Sequence, residues 1–174
     1  DAGCIVTNND ALAEKMRMFA NHGALIKHEH QVEGINSRLD GLQAAILSVK
    51  LKYILEWSEK RLHNALLYNN YLRDIETIVT PQIHLDVKHV FHLYVIRIEK
   101  RDELAQLLKK KSISTGIHYP TALPFLDAYK YLGHKSDDFP ISFHYMGEIL
   151  SLPMFPELSD YQIKFIVDKI KRVL

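Results

Sequence analysis

Leu42, Ile46, Val49, Tyr53 and Trp57 form an apolar stripe at helical spacing, and no proline interrupts the chain before Pro81. Asp40 followed by Gln43 makes a capping-box pattern at the head of that stripe. Together they predict one helix from Asp40 to about Arg73, roughly 50 Å long at 1.5 Å per residue. A domain of this size needs no internal helix of that length, and such a helix usually links two bodies. The chain is therefore expected to divide into a part before residue 40, the helix itself, and a part after residue 73.

The 174 residues suffice for one domain, or for one domain and part of another, but are cramped for two. Apolar residues at 47% and charged residues at 25% are ordinary globular values, so the chain builds a core. Cys4 is the single cysteine, which excludes an intrachain disulfide and points to the reducing cytoplasm. Lys and Arg number 22 against 21 Asp and Glu, so the positive field of a dedicated nucleic-acid or membrane-surface binder is missing. No apolar stretch reaches the ~18 residues of a membrane span, and no signal-peptide pattern opens the chain. Cys4 to Thr7 reads as a strand without a nearby partner, and the first residue is Asp1 rather than Met, so a piece of a longer protein is expected.

After that strand, Asn8 or Asn9 caps a helix whose Leu12, Met16 and Phe19 share a face and which Gly23 ends. Residues 24–39 have no clean period and read as an irregular polar segment. Beyond the long helix, Thr77–Thr80, Val90–Ile98 and Ile113–Tyr119 are β-rich, and Asp102–Lys110 is a short helix, giving an α/β pattern. Phe125–Leu132 reads as a short helix stopped by Gly133, and Leu152–Pro156 as rigid extended chain. Ser159 caps a last helix that buries Ile163, Ile166, Val167 and Ile170.

Several residues could carry chemistry, and each has a plainer reading. His28-Glu29-His30 offers two imidazoles and a carboxylate, but neither HExxH nor CxxC spacing accompanies them, so no metal site is assigned. A solvated loop is the commoner explanation, and Lys27 with the histidines could also meet an anion such as a phosphate. No GxGxxG or GxxxxGK[ST] loop is present. Asn36, Ser37 and Arg38 place an amide, a hydroxyl and a guanidinium just before a helix N-terminus, a set that suits an anion. Periodicity alone favours local capping there, with Ser37 and Asp40 as caps and Arg38 paired to a carboxylate elsewhere. His118 and Tyr119 end a strand before Pro120 and could face a cleft or pack inward, while His92 and Tyr94 share a strand face and read as core. No GxSxG elbow or other self-sufficient catalytic set can be assembled.

Read in order, Gly3-Cys-Ile-Val-Thr-Asn-Asn-Asp10, Asn21-His-Gly23, Gly34-Ile-Asn-Ser-Arg-Leu-Asp40 with Gln43-Ala-Ala-Ile-Leu47, His118-Tyr-Pro120 and Leu152-Pro-Met-Phe-Pro156 span the whole chain. In this order and spacing they resemble the pyridoxal-phosphate-dependent nucleotide-sugar aminotransferases of the DegT/DnrJ/EryC1/StrS group. The resemblance implies an α/β fold, the C-terminal part of an aspartate-aminotransferase-type (fold type I) enzyme. Residues 1–39 would be a remnant of the large cofactor-binding domain, 40–73 the connecting helix, and 74–174 the small α/β domain.

The resemblance also implies roles. The lysine that forms the Schiff base would lie shortly before Asp1 and the aspartate that pairs with the pyridine nitrogen further upstream, so this stretch alone would be inactive. Asn36 matches an asparagine that reaches the cofactor phosphate of the neighbouring subunit in a homodimer with composite sites, and Arg38 the arginine beside it, which favours the anion reading over capping. Lys27 and His30 would lie near the nucleotide diphosphate, and His118 and Tyr119 would face the sugar. Leu123-Pro124-Phe125 departs from the family, many members of which carry a histidine there. The implied activity moves an amino group, usually from glutamate, to a nucleotide-linked keto sugar on the way to a polysaccharide or deoxyaminosugar. A dehydratase of the same family and a non-catalytic dimerisation module are the alternatives.

Overall fold

The computed structural model describes residues 2–174, which separate into two compact units, 2–54 and 55–174. In the first unit, helix α1 (Asp10–Ala20) starts where the Asn9 side chain accepts a hydrogen bond from the Leu12 N–H at 3.0 Å, with Asp10 in the first turn. Its end is a Schellman-type arrangement in which His22 is left-handed at φ 58° and the Gly23 N–H reaches back to the Met18 carbonyl at 2.8 Å. The expected Leu12–Phe19 face is not the buried one. Leu12 and Phe19 are exposed, and Met18 is the helix's buried side chain, because the chain after α1 folds back over the helix end. Residues 2–7 are exposed and irregular, so the strand expected at Cys4–Thr7 does not form; among the described residues nothing pairs with it.

The long helix is two helices, α2 (Gly41–Leu51) and α3 (Ile54–Leu72). They are separated by a tight turn at Lys52–Tyr53, where the Tyr53 N–H bonds the Lys50 carbonyl at 3.0 Å, one residue short of helical reach. Asp40 precedes α2, yet its side chain makes no cap hydrogen bond, so the predicted capping box is not formed. α2 is apolar on several faces and buries none of its side chains.

The second unit has a dense core. Ala65, Tyr68 and Leu72 of α3 pack with Leu104 and Leu108 of α4 (Arg101–Lys109) and with Ile163, Ile166, Val167 and Ile170 of the last helix, Asp160–Lys171. The Ser159 hydroxyl caps that last helix in a full capping box with Gln162. Between the helices lies an antiparallel pair, β1 (Tyr94–Arg97) and β2 (Ile149–Leu152), registered Tyr94 to Leu152. Single bridges, Val79 to Arg97 and Gly116 to Ser151, stand where strands Thr77–Thr80 and Ile113–Tyr119 were expected. His92 precedes β1 and is exposed, contrary to its reading as core, because the backbone turns at Phe91 (φ 44°) before the strand begins. Pro153 ends β2, and the extended chain after it is stitched to α3. Tyr68 Oη donates to the Pro153 carbonyl at 3.0 Å, Arg61 to Met154 at 3.1 Å, and Asn64 to Phe155 at 3.1 Å. Short 3-10 turns over 123–132 end at Gly133 (φ 70°), and α5 (Pro140–Tyr145) leads into β2.

Candidate functional site

The loop between α1 and α2 owes its shape to two glycines. A Cβ on Gly23 would lie 1.6 Å from the Val32 carbonyl oxygen, and one on Gly34 would lie 2.2 Å from the Gly23 nitrogen. That close approach lets residues 31–37 run back along the end of α1. Ile35 N–H bonds the Phe19 carbonyl at 2.8 Å and Ser37 N–H the Ala20 carbonyl at 2.9 Å, so the last turn of the helix is capped by distant backbone. Asn36 is thereby set opposite Asn21 in an antiparallel bridge.

Three polar side chains meet there. Arg38 Nε donates to Asn36 Oδ1 at 3.3 Å, and Arg38 Nη1 donates to Asn21 Oδ1 at 3.1 Å. Asn21 Nδ2 in turn donates to the Ala24 carbonyl at 2.8 Å. Two parts of the local-capping reading are not met: the Asp40 side chain makes no cap bond, and Arg38 bonds two amides rather than a carboxylate. Among the described residues the Asn36 Nδ2 has no acceptor, and the cluster contains no anion to neutralise the guanidinium. An exposed amide donor beside an unneutralised guanidinium fits a phosphate dianion.

Lys27 sits at the corner of a turn closed by the Glu29 N–H on the Ile26 carbonyl at 3.0 Å, with His28 left-handed at φ 74°. Lys27, His28 and His30 are all exposed. His30 Nδ1 lies 2.8 Å from the His22 carbonyl; a carbonyl only accepts, so Nδ1 carries the proton and Nε2 is left open. Among the described residues no three His, Cys, Asp or Glu side chains converge on a common point.

His118 and Tyr119 belong to the second unit. His118 Nδ1 is 2.8 Å from the Oγ of Ser151, a buried β2 residue. Backbone bonds of 3.0 and 2.7 Å between Gly116 and Ser151 hold the segment against the strand. Tyr119 is 73% exposed and borders a cleft of about 620 Å³ with Leu123, Leu126, Ile141, Tyr145 and Met146, whose lining holds no charged side chain. The Arg97 guanidinium stacks on Tyr145 at 3.9 Å and bonds Glu148, so that charge is already engaged. Sequence reading missed Asn21 and Ser151 as partners of the named residues. Asn21 lay within the Asn21-His-Gly23 motif; nothing local marked Ser151.

A fold of this kind, with an anion-competent loop ahead of a helix pair and a small α/β body, has known counterparts. The model of the DegT/DnrJ/EryC1/StrS aminotransferase family matches residues 1–171, and the chain belongs to that family. It is 44% identical to a "pleiotropic regulatory protein" of Geobacillus stearothermophilus, over 98% of this chain and 46% of that protein. It is 37% identical to the dTDP-3-amino-3,6-dideoxy-alpha-D-galactopyranose transaminase of Aneurinibacillus thermoaerophilus, again over 98% and 46%. The chain thus spans about half the length of the curated relatives it matches. Among solved structures, DesV of S. venezuelae superposes with a TM-score of 0.90 at 33% identity, covering 96% of this chain and 45% of that one. A family aminotransferase from Brucella abortus gives 0.85 at 32%, covering 95% and 44%. These likenesses support the fold type I assignment. No helix among the described residues is long and apolar enough to cross a membrane.

Proposed function

We propose that the protein containing this chain is a cytoplasmic pyridoxal-phosphate-dependent aminotransferase that moves an amino group from an amino acid, glutamate by preference, to the ketone of a nucleotide-linked sugar. The observation that carries the reading is the cluster of Asn21, Asn36 and Arg38, in which the guanidinium bonds two amide oxygens and no carboxylate. Asn36 Nδ2 and the guanidinium would hold the cofactor phosphate of a neighbouring subunit, completing a composite site in a homodimer. When bound, the cofactor supplies the electron sink for transamination. The lysine that holds it and moves the proton belongs to sequence preceding residue 1 in this reading.

Lys27, with an exposed ammonium, and His30, whose Nε2 becomes a donor when the ring is protonated, would meet the nucleotide diphosphate. His118, fixed through Ser151, and Tyr119 would face the sugar, and the uncharged cleft beside Tyr119 suits a deoxygenated ring better than a uronate. The residues 1–39, 40–73 and 74–174 would serve as large-domain remnant, connector and small domain.

The test uses the full-length protein purified with pyridoxal phosphate. It should absorb visible light, and glutamate should bleach that band; a colourless protein indifferent to glutamate would favour a non-catalytic dimerisation role. Asn36→Ala should weaken cofactor affinity by about 1.5–3 kcal/mol, one charge-assisted hydrogen bond, as read by equilibrium titration.

A further inference from the structure

We propose that Asn21 is the positioning residue of the anion-binding loop: it fixes the direction of Arg38 and, through Arg38, decides which end of the Asn36 amide faces a ligand. This deepens the reading of Asn36 and Arg38 as phosphate donors and rests on it.

The argument is one of hydrogen-bond polarity along a chain. The Ala24 carbonyl can only accept, so the atom of Asn21 that lies 2.8 Å from it is the amide nitrogen. The Asn21 oxygen must then face the other way, where Arg38 Nη1 stands 3.1 Å off. A guanidinium can only donate, so the Asn36 atom 3.3 Å from Arg38 Nε is the oxygen. The Asn36 nitrogen, with two N–H donors, is therefore the end left for an anion. Reversing the Asn36 amide would point an oxygen lone pair at the phosphate, and reversing Asn21 would take away the acceptor that holds Arg38 Nη1 in place.

The backbone makes Asn21 the anchor of this chain. It is the C-cap of α1, its N–H bonds the Met18 carbonyl at 3.1 Å, and it is bridged to Asn36 across the loop. The side chains of Asn36 and Arg38 are exposed and free to turn unless something holds them; Asn21 is half-buried and held at both ends of its amide. An aspartate would offer Arg38 the same acceptor, but would neutralise its charge and set an oxygen against the Ala24 carbonyl. A neutral amide orients the cation without cancelling it.

The experiment is a double-mutant cycle in the full-length apoprotein, titrated with pyridoxal phosphate and, separately, with pyridoxal, which lacks the phosphate. Asn21→Ala should raise the Kd for pyridoxal phosphate about tenfold, the scale of one charge-assisted hydrogen bond, and change that for pyridoxal less than about twofold. Asn21→Asp, which keeps the side-chain volume, should weaken the phosphate form further. The Asn21→Ala effect should largely vanish in an Arg38→Ala background, because the residue that Asn21 orients is gone. If Arg38→Ala and Asn36→Ala weaken binding while Asn21→Ala does not, or loses pyridoxal equally, or keeps its full effect without Arg38, the positioning role is overturned and the phosphate reading stands. If neither Arg38→Ala nor Asn36→Ala changes phosphate-dependent affinity, the phosphate reading falls and takes this inference with it. Should Asn21→Ala fail to fold, the same cycle run with Asn21→Leu, neutral and of similar volume, decides the question.

Discussion

The two units of this chain are held by different physics. In residues 55–174, Tyr68, Tyr94, Leu108, Ile163 and Ile170 are sealed from solvent around a short antiparallel pair. In residues 2–54, Met18 and Ala24 are the buried apolar side chains among those described, while Leu42, Ile46 and Val49 stay exposed. What shapes that unit is backbone: glycines that let two segments touch, and amides that cap a helix end from a distance. A packed region is sensitive to volume, whereas a hydrogen-bonded loop is sensitive to the conformation each residue can adopt.

The largest expected effect tests the first half of that contrast. Ile163→Ala empties a fully buried position shared by the last helix and the core, and should cost about 2–5 kcal/mol. A shifted denaturation midpoint should coincide with faster amide exchange in β1 and β2 but not at Gln31, Ile35 and Ser37. Exchange that accelerates in the loop as well would break the contrast and show the units to be energetically coupled. Gly23→Ala tests the other half. At φ 81° and with the Val32 carbonyl in the way, an alanine must displace the loop, at a cost of about 1–3 kcal/mol. The amides of Ile35 and Ser37 should lose protection and β1 should keep it; an unperturbed loop would mean that its shape does not depend on this close approach.

Legibility followed the same division. Ser159, Gln162 and the Ile163–Ile170 stripe could be read directly, since a capping box and a helical period are local patterns that burial then reinforces. The end of α1 at Gly23 was readable for the same reason. The break at Lys52–Tyr53 was not, because no proline or glycine marks it. β2 was hidden because Ile149–Leu152 is only four residues long and includes Ser151, too short a stretch to distinguish from other buried chain. At the candidate site, Asn36 and Arg38 stood out as a polar pair before a helix, yet local pattern favoured capping. The deciding partner, Asn21, lies 17 residues before Arg38, and only the fold-back over α1 brings them together.

Alkaline pH should sharpen the contrast, since both strongly displaced tyrosines lie in the packed unit. Burial pushes the phenols of Tyr68 and Tyr94 well above the usual value of 10.0. Above pH ~10 the unfolded chain releases these protons while the folded one keeps them, so the unfolded state binds fewer protons and stability falls as pH rises. Each tyrosine contributes a slope of up to about 1.4 kcal/mol per pH unit, and below pH ~10 its contribution is flat. Denaturation midpoints followed upward from pH 9 should decline, and Tyr68→Phe should lessen the decline while costing the bond to the Pro153 carbonyl. A midpoint unchanged to about pH 12 would mean that the phenols reach water more easily than their burial implies.

The smallest effects come from two helix caps, one in each unit. Asn9→Ala and Ser159→Ala each remove a side-chain acceptor from a helix N-terminus, and each should cost about 1 kcal/mol. The consequences should nevertheless differ. The last helix keeps four buried side chains after its cap is lost, so only its first amides should exchange faster. α1 has 11 residues and buries Met18 alone, and a helix that short is marginal in water without packing or caps. Loss of Asn9 should therefore fray α1 from Leu12 toward the middle, while the distal end, tied by Ile35 and Ser37, stays protected. Equal, purely terminal fraying in both helices would mean that α1 is supported by packing as firmly as the last helix, and the division between a packed unit and a hydrogen-bonded one would no longer hold.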